Sequence, residues 1–122
     1  MRIPFTRTFT NALRGILLGF AEERSFRLHV AAGLLATAAS FAFPLLNWQR
    51  VAIWFVVMTV LVLELVNSAM ERVVDLVKPQ FHECARDIKD LMAGAVLIAS
   101  LFAVLVGLMI FLPSFFLALR AV

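Results

Sequence analysis

Charge is scarce in this chain: Asp, Glu, Lys and Arg make up 16% of its 122 residues, against 63% hydrophobic residues and a mean hydropathy of +0.98. That balance excludes an ordinary soluble domain. A chain this short has too much surface for its core, so water would meet apolar side chains that only lipid accepts on the outside. Cysteine occurs once, at Cys84, which excludes a disulfide framework and, with no ligand pattern around it, reads as incidental. The two histidines, His29 and His82, lie far apart and form no zinc-type spacing. A Gly-rich P-loop, a G-x-G-x-x-G turn and a G-x-S-x-G elbow are all absent, so the usual sequence marks of nucleotide binding and acyl transfer are missing. No repeat, low-complexity tract or domain boundary interrupts the chain, and residues 1–122 read as a single unit. The N-terminal stretch has neither an uninterrupted apolar core nor a small-residue cleavage site, so it is expected to be retained.

What is present is a series of long apolar runs. Residues 28–46 contain His29 as their one titratable group and have about the length needed to cross a hydrocarbon core of ~30 Å. Their small residues, among them Ala32, Gly33 and Ala36, suit close helix packing, and Pro44 stands near the end. A turn at Asn47, Trp48 and Gln49 is expected to precede a second helix over 51–77, halted at Lys78-Pro79 and long enough to project a polar end. Residues 78–90 read as the long polar connection, and 91–112 as a third span ending at Pro113. Ahead of them, 5–24 sets Phe9, Ala12, Leu13, Ile16, Leu17 and Phe20 at helical spacing, the pattern of an amphipathic helix in the membrane interface. The expected fold is therefore an all-α membrane protein with one interfacial and three transmembrane helices.

The net charge of +3 and a pI near 10.0 do not mark nucleic-acid binding, because the Lys and Arg residues stand at the ends of apolar runs. Nine of them, Arg2, Arg7, Arg14, Arg24, Arg27, Arg72, Lys78, Arg86 and Lys89, fall on one side, and Arg50 and Arg120 on the other. The excess places the N-terminus and second loop in the cytoplasm and the C-terminus outside.

The chemistry-bearing pattern lies in the second helix. Glu64, Asn67, Ser68, Glu71 and Asp75 recur at i, i+3, i+4, i+7 and i+11, which puts them within an arc of roughly 100°. A carboxylate against lipid costs about 2.5–3.5 kcal/mol on insertion scales, so this stripe has to face water, a partner helix or an ion. It can serve as interhelical glue, with Glu64 protonated and Asn67 bonded across a bundle. It can also divide labour, with a deep carboxylate as base and shallower ones holding a divalent cation. Glu22 and Glu23, and Arg86, Asp87, Lys89 and Asp90, lie where they can converge on the same end; for Glu22 and Asp87 solvated charge at a helix end is the preferred reading.

The run ELVNSAMERVVDLV, Glu64 to Val77, followed by KDLMAGAVLIA, Lys89 to Ala99, resembles the signature of the prokaryotic diacylglycerol kinase family. The pattern E-x-x-N-[ST]-A-[IM]-E-x-x-V-D is specific, and the likeness extends from about Asn11 to Pro113. It implies a three-span homotrimer with shared active sites that phosphorylates a membrane lipid with Mg²⁺ and ATP. Carried over residue by residue, Glu64 matches the general base and Asn67 a residue that orients the site. Glu23 and Glu71 match the carboxylates that hold the metal on the nucleotide. Lys89 and Asp90 match ATP contacts, with Gln80, Phe81 and His82 in the neighbouring loop, and Arg7 is a looser match. His29, the E-E-R-x-x-x-x-H block, AGAVLIA and the closing VGLMIFLP are closer to the undecaprenol kinase branch.

The resemblance thus implies conversion of undecaprenol to undecaprenyl phosphate, with diacylglycerol to phosphatidic acid as the alternative, in a prokaryotic plasma membrane with a cytoplasmic active site. Intramembrane carboxylates also mark proton-coupled transporters, and a non-catalytic membrane scaffold is a third reading. The climb of the stripe toward a basic loop suits phosphoryl transfer at the surface better than a pathway through the midplane.

Overall fold

A computed structural model describes residues 4–80 and 82–122. Arg2 and Phe81 lie outside the described residues. Among the latter the chain forms four helices: α1 (Phe5–Glu22), α2 (Arg24–Ala42), α3 (Asn47–Val77) and α4 (His82–Arg120). Three of them, α2, α3 and α4, are long and apolar enough to cross a membrane.

The boundaries depart from the sequence expectations for local reasons. The first span, expected over 28–46, starts at Arg24 and stops at Ala42, because Phe43 precedes Pro44 and takes an extended conformation with φ −94° and ψ 149°. The turn expected at Asn47–Gln49 is instead the opening of α3, whose Gln49 side chain accepts a hydrogen bond from the Leu46 N–H at 2.8 Å. The polar connection expected over 78–90 is short, since α4 begins at His82 and carries those charges on its first turns. Pro113 does not end α4, which continues to Arg120. Its missing N–H leaves one carbonyl unbonded, and the adjacent Ser114 hydroxyl donates to the Ile110 carbonyl at 3.2 Å.

Two arginines close the breaks between helices. Arg27, on α2, donates to the carbonyls of Phe20 and Ala21 at 2.9 and 3.0 Å, satisfying the C-terminus of α1. Arg50, on α3, donates through Nε to the Ser40 carbonyl at 2.9 Å and through Nη1 to Asn47 Oδ1 at 3.1 Å. Its guanidinium also sits 5.8 Å from the centroid of the Phe41 ring. Each arginine therefore fixes the angle at which one helix leaves the previous one.

Packing is most extensive between α3 and α4, then between α2 and α3. A small core of Leu45, Ile53 and Ile110 sits at the end of the bundle near the α2–α3 turn, where the rings of Phe43 and Phe111 meet at 5.7 Å. Along α3, Val56, Val60 and Val74 are buried, while most large side chains of α4 and the apolar face of α1 remain exposed. Such exposure suits lipid and would be untenable in water.

Close approach of α2 to α3 depends on Gly33. A Cβ there would lie 2.6 Å from Val57 Cγ1, on a stiff branched side chain, whereas a Cβ at Gly19 would meet only the flexible end of Leu65 at 2.7 Å. Gly33→Ala is therefore expected to destabilise the bundle by about 1–3 kcal/mol. Gly19→Ala should cost less, and thermal unfolding of both variants in one detergent checks the order.

Candidate functional site

Helix length decides where the acidic stripe sits. A hydrocarbon core of ~30 Å takes up about 20 helical residues, and α3 has 31. Trp48 and Arg50 anchor its first turn beside the polar α2–α3 junction, so the surplus falls at the other end. Counted from Arg50, Glu64 falls within the last turns that a core of ~30 Å takes up, and Glu71 and Asp75 fall beyond them.

Glu64 is 4% exposed and Ser68 7%. The Ser68 hydroxyl donates to the Glu64 carbonyl at 3.0 Å, so it serves the helix backbone and leaves the carboxylate to other partners. The nearest of those is His29 of α2, whose Nδ1 stands 2.7 Å from Glu64 Oε1. The approach is off the hydrogen-bonding axis, and the buried Nδ1 has no directed partner. One turn further along, the Asn67 amide donates to Glu71 Oε1 at 3.2 Å, which steers that half-buried carboxylate.

Outside the membrane-embedded part, ion pairs gather the other elements around the end of α3. Arg72 donates to Glu22 Oε2 at 2.6 Å and lies 3.9 Å from Glu23 Oε1, tying the α1–α2 junction to α3. Glu22, read from the sequence as solvated charge at a helix end, is half exposed and pairs there with Arg72. Lys89 Nζ donates to Asp75 Oδ1 at 2.8 Å, tying α4 to α3. Asp90, Gln80, His82 and Arg7 are exposed, and none of their side chains takes part in a hydrogen bond or ion pair among the described residues. No group of three or more His, Cys, Asp or Glu side chains converges as a metal site among the described residues. A cation held here by Glu23 and Glu71 would need its remaining ligands from phosphate and water, which is how Mg²⁺ is commonly bound. The hard oxygen donors of two glutamates fit that ion.

Two concavities adjoin α3. One, of about 400 Å³, is apolar and runs between α2, α3 and α4 from His29 and Ser100 to Phe111. The other, of about 340 Å³, lies between α1 and α3 and reaches Ser68 and Arg72.

The match to known proteins covers this whole assembly. Residues 10–111 match the prokaryotic diacylglycerol kinase family. The chain belongs to that family. The matched residues include every member of the stripe, Glu23, His29, Lys89 and Asp90, and leave out Arg7. A diacylglycerol kinase of Synechocystis is 42% identical over 111 residues, 87% of this chain and 61% of that protein. An undecaprenol kinase of Bacillus subtilis is 35% identical over 110 residues, 90% of this chain and 89% of that protein. A diacylglycerol kinase of Escherichia coli is 35% identical over 92 residues, 75% of each chain. The chain thus spans less than two thirds of the Synechocystis relative and nearly the whole of the Bacillus one. Membership in this family, together with three helices long and apolar enough to cross a membrane, supports a multi-pass membrane protein.

The sequence pattern placed Glu64, Asn67 and Glu71 on one face but did not find the His29 contact. The available signal was the lone titratable group of the first span, since an ionisable side chain within a membrane helix calls for a named partner. The Arg72–Glu22 pair had no comparable signal, because it joins elements that only the fold brings together. With about half of each side chain in solvent, that pair should be worth less than roughly 1 kcal/mol. Glu22→Gln is expected to move the thermal midpoint slightly at low ionic strength and not at all in high salt, which parallel melts check.

Proposed function

We propose that this chain transfers the γ-phosphoryl group of ATP to the primary hydroxyl of a membrane lipid alcohol, undecaprenol being the favoured acceptor. The observation that carries this reading is the buried Glu64 carboxylate just inside the hydrocarbon, one to two turns below the polar side chains of Asn67 and Glu71. A lipid hydroxyl arrives from the bilayer and a nucleotide from water, so the reaction needs a base at the boundary with phosphate-binding groups beyond it. Glu64 takes the hydroxyl proton as the oxygen attacks the γ-phosphorus, and the bond to the ADP oxygen breaks.

Glu23 and Glu71 would hold Mg²⁺ on the nucleotide, with Asn67 orienting Glu71. When bound, that ion neutralises charge on the phosphates. Lys89 leaves Asp75 to add positive charge near the phosphates, and Asp90, Gln80 and His82 line the approach, with Phe81 and Arg7 as further nucleotide contacts in this reading. The acidic end and the N-terminus face the cytoplasm and the C-terminus faces outside, as the nine-to-two division of Lys and Arg supports. The assembly is a homotrimer with sites shared between copies, as the motif resemblance implies.

Undecaprenol is favoured by the match along 89% of the Bacillus undecaprenol kinase. Diacylglycerol is the second reading, favoured by the 42% identity to the Synechocystis diacylglycerol kinase.

The test is transfer of labelled γ-phosphate from Mg-ATP to undecaprenol and to diacylglycerol in mixed micelles of the purified protein. Faster transfer to undecaprenol is expected, the reverse preference would select diacylglycerol, and no transfer to either would remove the kinase reading. Glu64→Gln is expected to lower kcat by about 10²-fold or more with assembly unchanged. Glu23→Gln and Glu71→Gln are expected to raise the Mg²⁺ concentration needed for half-maximal rate, whereas Glu64→Gln leaves it unchanged; a titration of rate against Mg²⁺ separates the two roles.

A further inference from the structure

Beside Glu64 lies a group to which the phosphoryl-transfer reading gives no work. His29 brings Nδ1 to 2.7 Å from Glu64 Oε1, from a different helix, and that nitrogen is buried without a directed hydrogen-bond partner. A buried polar atom left in this state is costly, and here the proposed base stands at contact distance from it. The two side chains also differ in access: that of Glu64 is almost fully covered, and that of His29 is 32% exposed. His29 stands about 7.5 Å from the start of α2, close to the interface, and is the one titratable side chain on the wall of the 400 Å³ groove, where Ser100 is the other polar member.

We infer that His29 is a positioning and proton-holding partner of Glu64, a role that rests on the proposed lipid kinase reaction. A carboxylate in apolar surroundings is poorly stabilised as an anion. An imidazole Nδ1 at contact distance compensates whenever it carries a proton, and it engages one oxygen while the other stays free for the acceptor hydroxyl. The terminal carboxylate torsion of a glutamate is soft, so a modest rotation brings Oε1 onto the axis of Nδ1. During transfer the lipid O–H bond breaks, its oxygen forms the new bond to phosphorus, and the bond to ADP breaks with its electron pair leaving on ADP. The hydroxyl proton goes to Glu64. Nδ1, unprotonated at that stage, then takes the proton from Glu64, the resulting imidazolium N–H stabilises the carboxylate, and loss of a proton from Nε2 to water returns the pair to its basic form.

The other charged groups near this pair belong to different contacts. Glu71 is bonded by Asn67 two turns along α3, and Glu23 faces Arg72 ahead of α2. On α4, Lys89 is bonded to Asp75. None substitutes for His29.

The test compares wild type, His29→Ala and Glu64→Gln in the transfer assay with the preferred lipid, with and without added imidazole. Removing the ring opens space beside a groove already large enough for imidazole. His29→Ala is expected to lower kcat about 10- to 100-fold with the KM for ATP unchanged. Imidazole should restore part of that rate, and none in Glu64→Gln. An unchanged kcat in His29→Ala would overturn the inference, and so would a loss that imidazole does not repair, since a purely packing role predicts that result. Both outcomes require an active wild type. A silent wild type would instead remove the lipid kinase reading and this inference with it.

Discussion

A carboxylate against lipid is among the most expensive placements a side chain can take, and Glu64 shows how the bundle meets that constraint. The side chain is turned inward between α2 and α3 and is almost fully covered. Gly33 allows α2 close enough to α3 to supply that cover, through contact with Val57 two turns before Glu64. Most of the large apolar side chains of α4 and of the apolar face of α1 are exposed instead, where lipid accepts them. The polar stripe and the apolar exterior are thus two consequences of one solvent. The bilayer forces inward whatever is charged, and inward-facing charge at one end of a bundle is the raw material of a site.

The second constraint is length. A helix of 31 residues cannot fit within a core that takes up about 20, and the arginine and tryptophan at its first turn decide which end protrudes. Arg50 serves both that anchoring and the unfinished carbonyl of Ser40 at the end of α2. Arg27 does similar work for α1. Charges read from sequence as topology markers are therefore also fasteners, Arg50 at the α2–α3 turn and Arg27 at the α1–α2 junction. Arg72 and Lys89 complete this arrangement by holding the α1–α2 junction and α4 against the projecting part of α3.

The number of spans was legible from the length of the apolar runs, and the amphipathic first helix and the stripe from their periodicity. Hydropathy with period 3.6 and carboxylates at successive turns are local properties that survive without tertiary information. The kinase family was legible because the motif from Glu64 to Asp75 is specific, and the match over residues 10–111 bears it out. Helix ends were read less well. Pro113 looked like a stop, yet within a membrane helix the missing N–H is tolerated when a neighbour such as Ser114 bonds a nearby carbonyl. Asn47 and Trp48 looked like a turn because polar residues at an interface resemble a loop, when here they open a helix. Long-range pairs were not legible as pairs, although the lone titratable group of the first span marked His29 as needing a partner. His29 with Glu64, and Arg72 with Glu22, are set by how helices cross, and no periodicity within one helix contains that information.

On the proposed function, the acidic end of the bundle faces the cytoplasm and is where ATP arrives. Cys84 tests it without any substitution, since it is exposed on the first turns of α4 between His82 and Lys89. The measurement is the rate at which a membrane-impermeant thiol reagent labels Cys84 in sealed vesicles of each orientation, with and without Mg-ATP. The account predicts labelling from the cytoplasmic face alone and slower labelling when Mg-ATP is present. Labelling from the outer face, or a cytoplasmic rate that Mg-ATP leaves unchanged, would contradict it.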